Sequence, residues 1–135
     1  MVATPMPRPA ARVAWPTAAV AVMGAESDAT FPGIVESAAK KSRHLRVLST
    51  LHRYVGQVSD HAAFAAAGQP FLFLSCGQGR HYHSAQDTME WINFGKLAHI
   101  TSFIADLVER IDGTPADADH APADPFETEI RMLRR

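Results

Sequence analysis

The sequence contains a single cysteine, Cys76, so no disulfide can form within the chain and its stability has to come from packing. It has no excess of either charge, since 13 lysines and arginines stand against 14 aspartates and glutamates. So balanced a surface offers no electrostatic grip on nucleic acid or on an anionic membrane, and neither is expected as a partner. No apolar run approaches the roughly 20 residues that a membrane-spanning helix needs. A soluble chain is expected, with the cytoplasm slightly favoured as its location. Arg8 and Arg12 ahead of Ala18 to Met23 superficially resemble a secretory leader. Against that, the apolar run is short, four prolines (Pro5, Pro7, Pro9 and Pro16) crowd its approach, and the same residues read as a buried strand.

What is present is enough for one core. With 135 residues and 47% of them hydrophobic, one domain can form and two cannot. Residues 1–16 are rich in proline and alanine and predict a poorly ordered arm. Thr17 to Met23 reads as a first strand ended by Gly24. A helix then runs to about Ser42, capped by Ser27 or Asp28, or starting at Thr30 because Pro32 fits only a first turn. Leu45 to Leu51 is short enough for a second strand. Ser59 is placed to cap a helix from Asp60 to Ala67, which Gly68 and Pro70 stop. Phe71 to Ser75 is apolar at consecutive positions, which predicts a third strand buried on both faces. Leu97, Ile100, Phe103, Ile104, Leu107, Val108 and Ile111 form one stripe on a long helix from Asn93 to Asp112. Residues 113–135 predict a linker and a short helix around Phe126, Ile130 and Leu133.

Strands alternating with helices imply an α/β fold with a mostly parallel, helix-covered sheet. Three strands leave hydrophobic edges open, so the sheet reads as part of a larger one, with an edge free for self-association or for another polypeptide.

Two polar clusters bracket the third strand. Ser59-Asp60-His61 opens the short helix, and His81, Tyr82, His83 and Asp87 follow the strand. An imidazole in such a loop can offer a neutral nitrogen to a metal while a carboxylate orients its ring, and zinc suits a site of histidine and carboxylate ligands. The plainer readings are surface histidines for His81 and His83, a helix start at Ser59 to His61, and a turn cap at Asp87. Cys76, at the end of the strand, is a candidate nucleophile with His83 or His81 as its base, or a small thiol that only packs.

The combined spacing resembles metallopeptidase family 28, the dizinc exopeptidases that include leucyl aminopeptidases and aminopeptidase Y. The residues that carry the resemblance are Ser59, Asp60, His61, Phe64, Gly68, Pro70, Tyr82, His83, Ser84, Asp87 and Thr88, within about Thr17 to Asp112. It covers the carboxy-terminal portion of the family's pattern and implies a sheet of the zinc-exopeptidase type, a zinc cofactor and a peptide substrate. His83 then matches a metal ligand. Asp60 and His61 match residues that support the metal site, and Tyr82 and Asp87 would shape the loop that presents His83. His81 matches nothing assigned. The family's other ligands and its glutamate base lie upstream of this pattern, and no Glu-Glu pair occurs in the sequence. The expectation is a domain inactive alone, too poor in ligands for tight zinc binding, or a scaffold remnant that binds a partner or itself.

Overall fold

The computed structural model describes residues 18–115 and 120–133. The arm expected over residues 1–16 lies outside the described residues, as do linker residues 116–119. The elements run β1 (Ala19–Met23), α1 (Phe31–Lys41), β2 (Arg46–Thr50), α2 (His61–Ala66), β3 (Phe73–Ser75), α3 (Phe94–Asp112) and α4 (Pro125–Leu133), with single 3-10 turns at Ala25–Ser27, His52–Tyr54 and Met89–Trp91.

Each helix boundary has a local cause. Pro32 sits in the first turn of α1, where its missing N–H costs nothing. The Asp28 carboxylate accepts from both the amide and the hydroxyl of Thr30, at 2.7 and 2.6 Å, and so holds the chain at the helix entrance. Helix α2 ends at Gly68, whose φ of 65° lets its amide reach Ala65 O while the Gln69 amide reaches Phe64 O. Asn93 caps α3 by accepting from the Lys96 amide at 2.9 Å.

The sheet has the order β2-β1-β3. β1 and β2 are parallel, with Ala21 opposite Leu48 and Met23 opposite Thr50, whereas β3 is antiparallel to β1, with Ala21 opposite Ser75 and Met23 opposite Phe73. The sheet is therefore mixed, which corrects the expectation of a mostly parallel one. The reason lies in α2. Its 6 residues span only about 9 Å, too little to return the chain along a 5-residue strand of about 17 Å, so the chain turns where it is and β3 runs back. β3 also starts two residues later than its apolar run. The Phe71 amide and carbonyl are both taken by the Ser27 hydroxyl, at 2.9 Å each, and are not available to a neighbouring strand.

The core forms on one face of the sheet. Val20 and Val22 of β1 meet Phe31, Val35 and Ala38 of α1 and Phe103 and Leu107 of α3, with Leu72 and Leu74 packed alongside. Burying each large side chain contributes about 1.5–3 kcal/mol. The stripe on α3 splits in two: Ile100, Phe103, Leu107 and Ile111 pack on this core, while Leu97, Ile104 and Val108 stand exposed. β3 is only half-buried, against the expectation of burial on both faces.

Residues 120–125, where composition reads as a linker, are tied to the turn after β1. Ala29 N–H donates to Ala121 O, Ala123 N–H donates to Glu26 O, and His120 Nδ1 lies 2.8 Å from Asp28 Oδ2. From there α4 packs against β2, and its Arg131 and Glu129 reach Glu36 and Arg53, each at 2.8 Å. Among the described residues no helix is long and apolar enough to cross a membrane.

Candidate functional site

β1 and β2 are parallel, so the first polar residues beyond them emerge at one end of the sheet. They are Glu26 and His52. Gly24 turns the chain there at φ 88°, and a Cβ at that position would lie 2.6 Å from the Phe71 ring. Glu26 Oε1 accepts from the His52 amide at 2.6 Å. The His52 ring stands edge-on to His61 and to Phe71, with centroids 5.1 and 5.0 Å away.

His61 is buried and stacks on Phe73 at 4.3 Å. Its Nε2 is 3.0 Å from Gly56 O; a carbonyl only accepts, so this nitrogen is the donor. Three atoms in this cluster, Glu26 Oε2, His52 Nδ1 and His61 Nδ1, are enclosed without a hydrogen-bond partner. Beside them a pocket of about 580 Å³ is lined by Glu26, His52 and Phe71 and closed by Pro122 to Pro125.

Asp28 anchors that wall. Burial pushes its carboxyl up, but the Thr30 hydroxyl and amide, together with His120, outweigh burial and hold it below the usual carboxylate range.

The second cluster leaves β3 at the opposite end, because β3 runs antiparallel. Asp60 and His83 therefore do not spring from one end of the sheet, as the alternation of elements implies. The two segments approach each other instead across the face away from the core. There a groove of about 560 Å³ is floored by Ala21, Met23, Thr50 and Phe73 and bordered by Ser59 and Tyr82, the neighbours of Asp60 and His83.

Asp60 precedes α2, exposed, and its side chain makes no capping hydrogen bond. His83 is also exposed, and among the described residues it is the non-glycine residue at positive φ, 57°, with its ring 4.0 Å from that of Tyr82. The loop is closed by Ser84, whose amide and hydroxyl both donate to His81 O, at 3.0 and 2.7 Å, and by the Asp87 amide donating to Ser84 O. Asp87 is exposed, and it is Thr88 that stands just before the following turn, its hydroxyl donating to Glu90 Oε2 and not capping a turn amide. The His81 ring packs on Trp91 at 4.6 Å. Cys76 is free and exposed and forms no hydrogen bond to His81 or His83.

A family model described as Peptidase family M28 matches residues 11–108, which is most of the chain. The chain belongs to Peptidase family M28. No curated protein matches the chain, and no solved structure does. Members of this family generally depend on zinc. Among the described residues no three or more His, Cys, Asp or Glu are grouped so that they could hold a metal ion. The described residues alone therefore do not fit a zinc site, and no hydrolytic step through a metal follows from them.

Glu26 and His52 stood outside the sequence-derived site. The signal that could have found them is positional: each is the first titratable side chain after one of two adjacent parallel strands, where α/β folds gather their chemistry.

Proposed function

We propose that this family member supplies one metal-facing histidine, His83, to a zinc exopeptidase site of the aminopeptidase type, and that it does not hydrolyse peptides by itself. The observation that carries this reading is the backbone of His83. A left-handed φ of 57° at a residue with a side chain costs energy and persists only where the surroundings hold it. The Ser84 and Asp87 hydrogen bonds do so here, and they leave the imidazole in the open beside Tyr82. Zinc takes three or four protein ligands. In this reading the others come from outside the described residues, with Asp60, His61 and Asp87 in supporting places around the site. Purified chain equilibrated with Zn²⁺ is expected to hold less than one tightly bound ion, to show no hydrolysis of aminoacyl anilides, and to bind the ion more weakly still after His83→Ala. Chelator-sensitive turnover by the chain alone, or zinc affinity unchanged in His83→Ala, overturns the proposal. A second reading, a scaffold that associates with a partner or with itself, is supported by the large apolar side chains left exposed along α3.

A further inference from the structure

Helix α3 is apolar around more of its circumference than this domain covers. Phe94, Leu97, Ile104 and Val108 are exposed by 62, 48, 39 and 58%, and with Thr101 they follow one another at spacings of three and four. That spacing is the pattern of a seam between two helices. Asp106 and His99, which meet Lys41 and His44 near the end of α1, lie roughly 160° around α3 from Ile104 and Leu97, so the exposed row points away from α1.

The sheet is open on the same flank. α1 joins β1 to β2, and α4 packs on the β2 side, where Arg131 meets Glu36 of α1. α3 therefore occupies the β3 side, and the outer edge of β3 has no strand beside it among the described residues. Free backbone donors and acceptors thus lie next to an uncovered apolar row.

We infer that this flank pairs with a second copy of the chain across a two-fold axis, β3 antiparallel to its mate and α3 antiparallel to its mate, with the axis near Thr101. The row is close to symmetric about that residue. Phe94 lies seven positions before it and Val108 seven after, so each large ring of one copy meets the smaller valine of the other; Leu97, four positions before, and Ile104, three after, match to within one residue. Nothing in the row is charged, so two identical surfaces meet without repulsion. The Thr101 hydroxyl already donates to Leu97 O at 2.9 Å and brings no unmet hydrogen bond to the axis. Phe94, Leu97, Ile104 and Val108, with Trp91 just before the helix, expose on the order of 500 Å² per copy, about 1,000 Å² for the pair, which is the size a specific interface has to reach. The inference needs no metal and stands apart from the peptidase reading.

Sedimentation of the chain at concentrations from 5 to about 200 µM tests it. The expected species has twice the 14.7 kDa chain mass. Ile104→Glu, a surface change, is expected to weaken the dimer at least 100-fold while the chain stays folded by circular dichroism. In a Cys76→Ser background, Thr101→Cys is expected to cross-link to its own copy under mild oxidation, and Ser37→Cys, exposed on α1, is not. A monomer at every concentration leaves the flank to some other polypeptide and overturns the self-pairing. So do a larger or mixed assembly, an Ile104→Glu dimer of undiminished strength, and Thr101→Cys that cross-links no faster than Ser37→Cys.

Discussion

The ring of His61 lies 4.3 Å from that of Phe73, with 28° between their planes, and its Nε2–H donates to Gly56 O at 3.0 Å. The histidine of the Ser-Asp-His segment is thus a packing residue that joins α2 to the first residue of β3. His61→Ala removes the stack and leaves the Gly56 carbonyl without its donor, and is expected to cost about 3 kcal/mol. His61→Phe keeps a ring against Phe73 and loses only the hydrogen bond, for a cost near 1 kcal/mol. Urea denaturation of the two variants checks the order; equal costs would show that the stack contributes nothing.

Gly24 holds a position that no other residue can take. Its φ of 88° is unfavourable for any side chain, and a Cβ there would stand 2.6 Å from Phe71 Cε2 and 2.8 Å from the Phe71 carbonyl oxygen. The Phe71 backbone is pinned in turn by both of its hydrogen bonds to Ser27, so it cannot move aside cheaply. Gly24→Ala is expected to cost about 2–4 kcal/mol, more than an ordinary glycine replacement. Gly56, also at positive φ but with nothing near its missing Cβ, provides the control, and its alanine variant is expected to lose about half as much or less by the same chemical denaturation.

Acid is expected to loosen the wall formed by residues 120–125 first. The Asp28 carboxyl is held below its unfolded value near 3.8, so its contribution is complete above that pH and is lost as pH falls through the lowered folded value. Asp28→Ala removes the acceptor for Thr30 and the partner of His120. It is expected to cost about 1–3 kcal/mol at pH 7 and progressively less below pH 4. Denaturation curves of wild type and variant, taken from pH 7 down to pH 2.5, should therefore converge. A gap that stays constant to pH 2.5 would mean that Asp28 is not the group that titrates.

The elements were legible because their signals are local. Pro32 marks the first turn of α1, Gly68 the stop of α2, and Asn93 the start of α3, each through a backbone requirement that sequence states directly. The direction of β3 was not legible. Apolar residues at Phe71 to Leu74 show that a strand is there, but whether it runs with β1 or against it depends on how far α2 carries the chain. That one reversal also makes the chain leave β3 at the end of the sheet opposite Asp60, so the His83 loop reaches the Asp60 segment only across the open face. Glu26 and His52 were missed for a related reason: 26 residues separate them in sequence, and only the parallel pairing of β1 and β2 makes them neighbours. The apolar stripe of α3 is legible in the sequence, but its division into a covered and an exposed half is not, since periodicity records which residues are apolar and not how many of them this domain can cover.

His83 allows its fold and its proposed role to be separated. At φ 57° glycine is free of the clash that a Cβ causes, while a β-branched residue has still less room than histidine. The ring lies beside that of Tyr82 and is exposed, so its removal sacrifices little packing. His83→Gly is therefore expected to leave stability unchanged or raise it by up to about 1 kcal/mol, and His83→Val to lower it by about 1–2 kcal/mol. Neither variant has an imidazole. If His83 faces a metal, both lose zinc affinity to the same extent although their stabilities move in opposite directions, and titration calorimetry beside urea melts reads the two effects independently. Zinc affinity that instead follows stability, retained in His83→Gly and lost in His83→Val, would mean that the loop's conformation matters and the histidine does not bind.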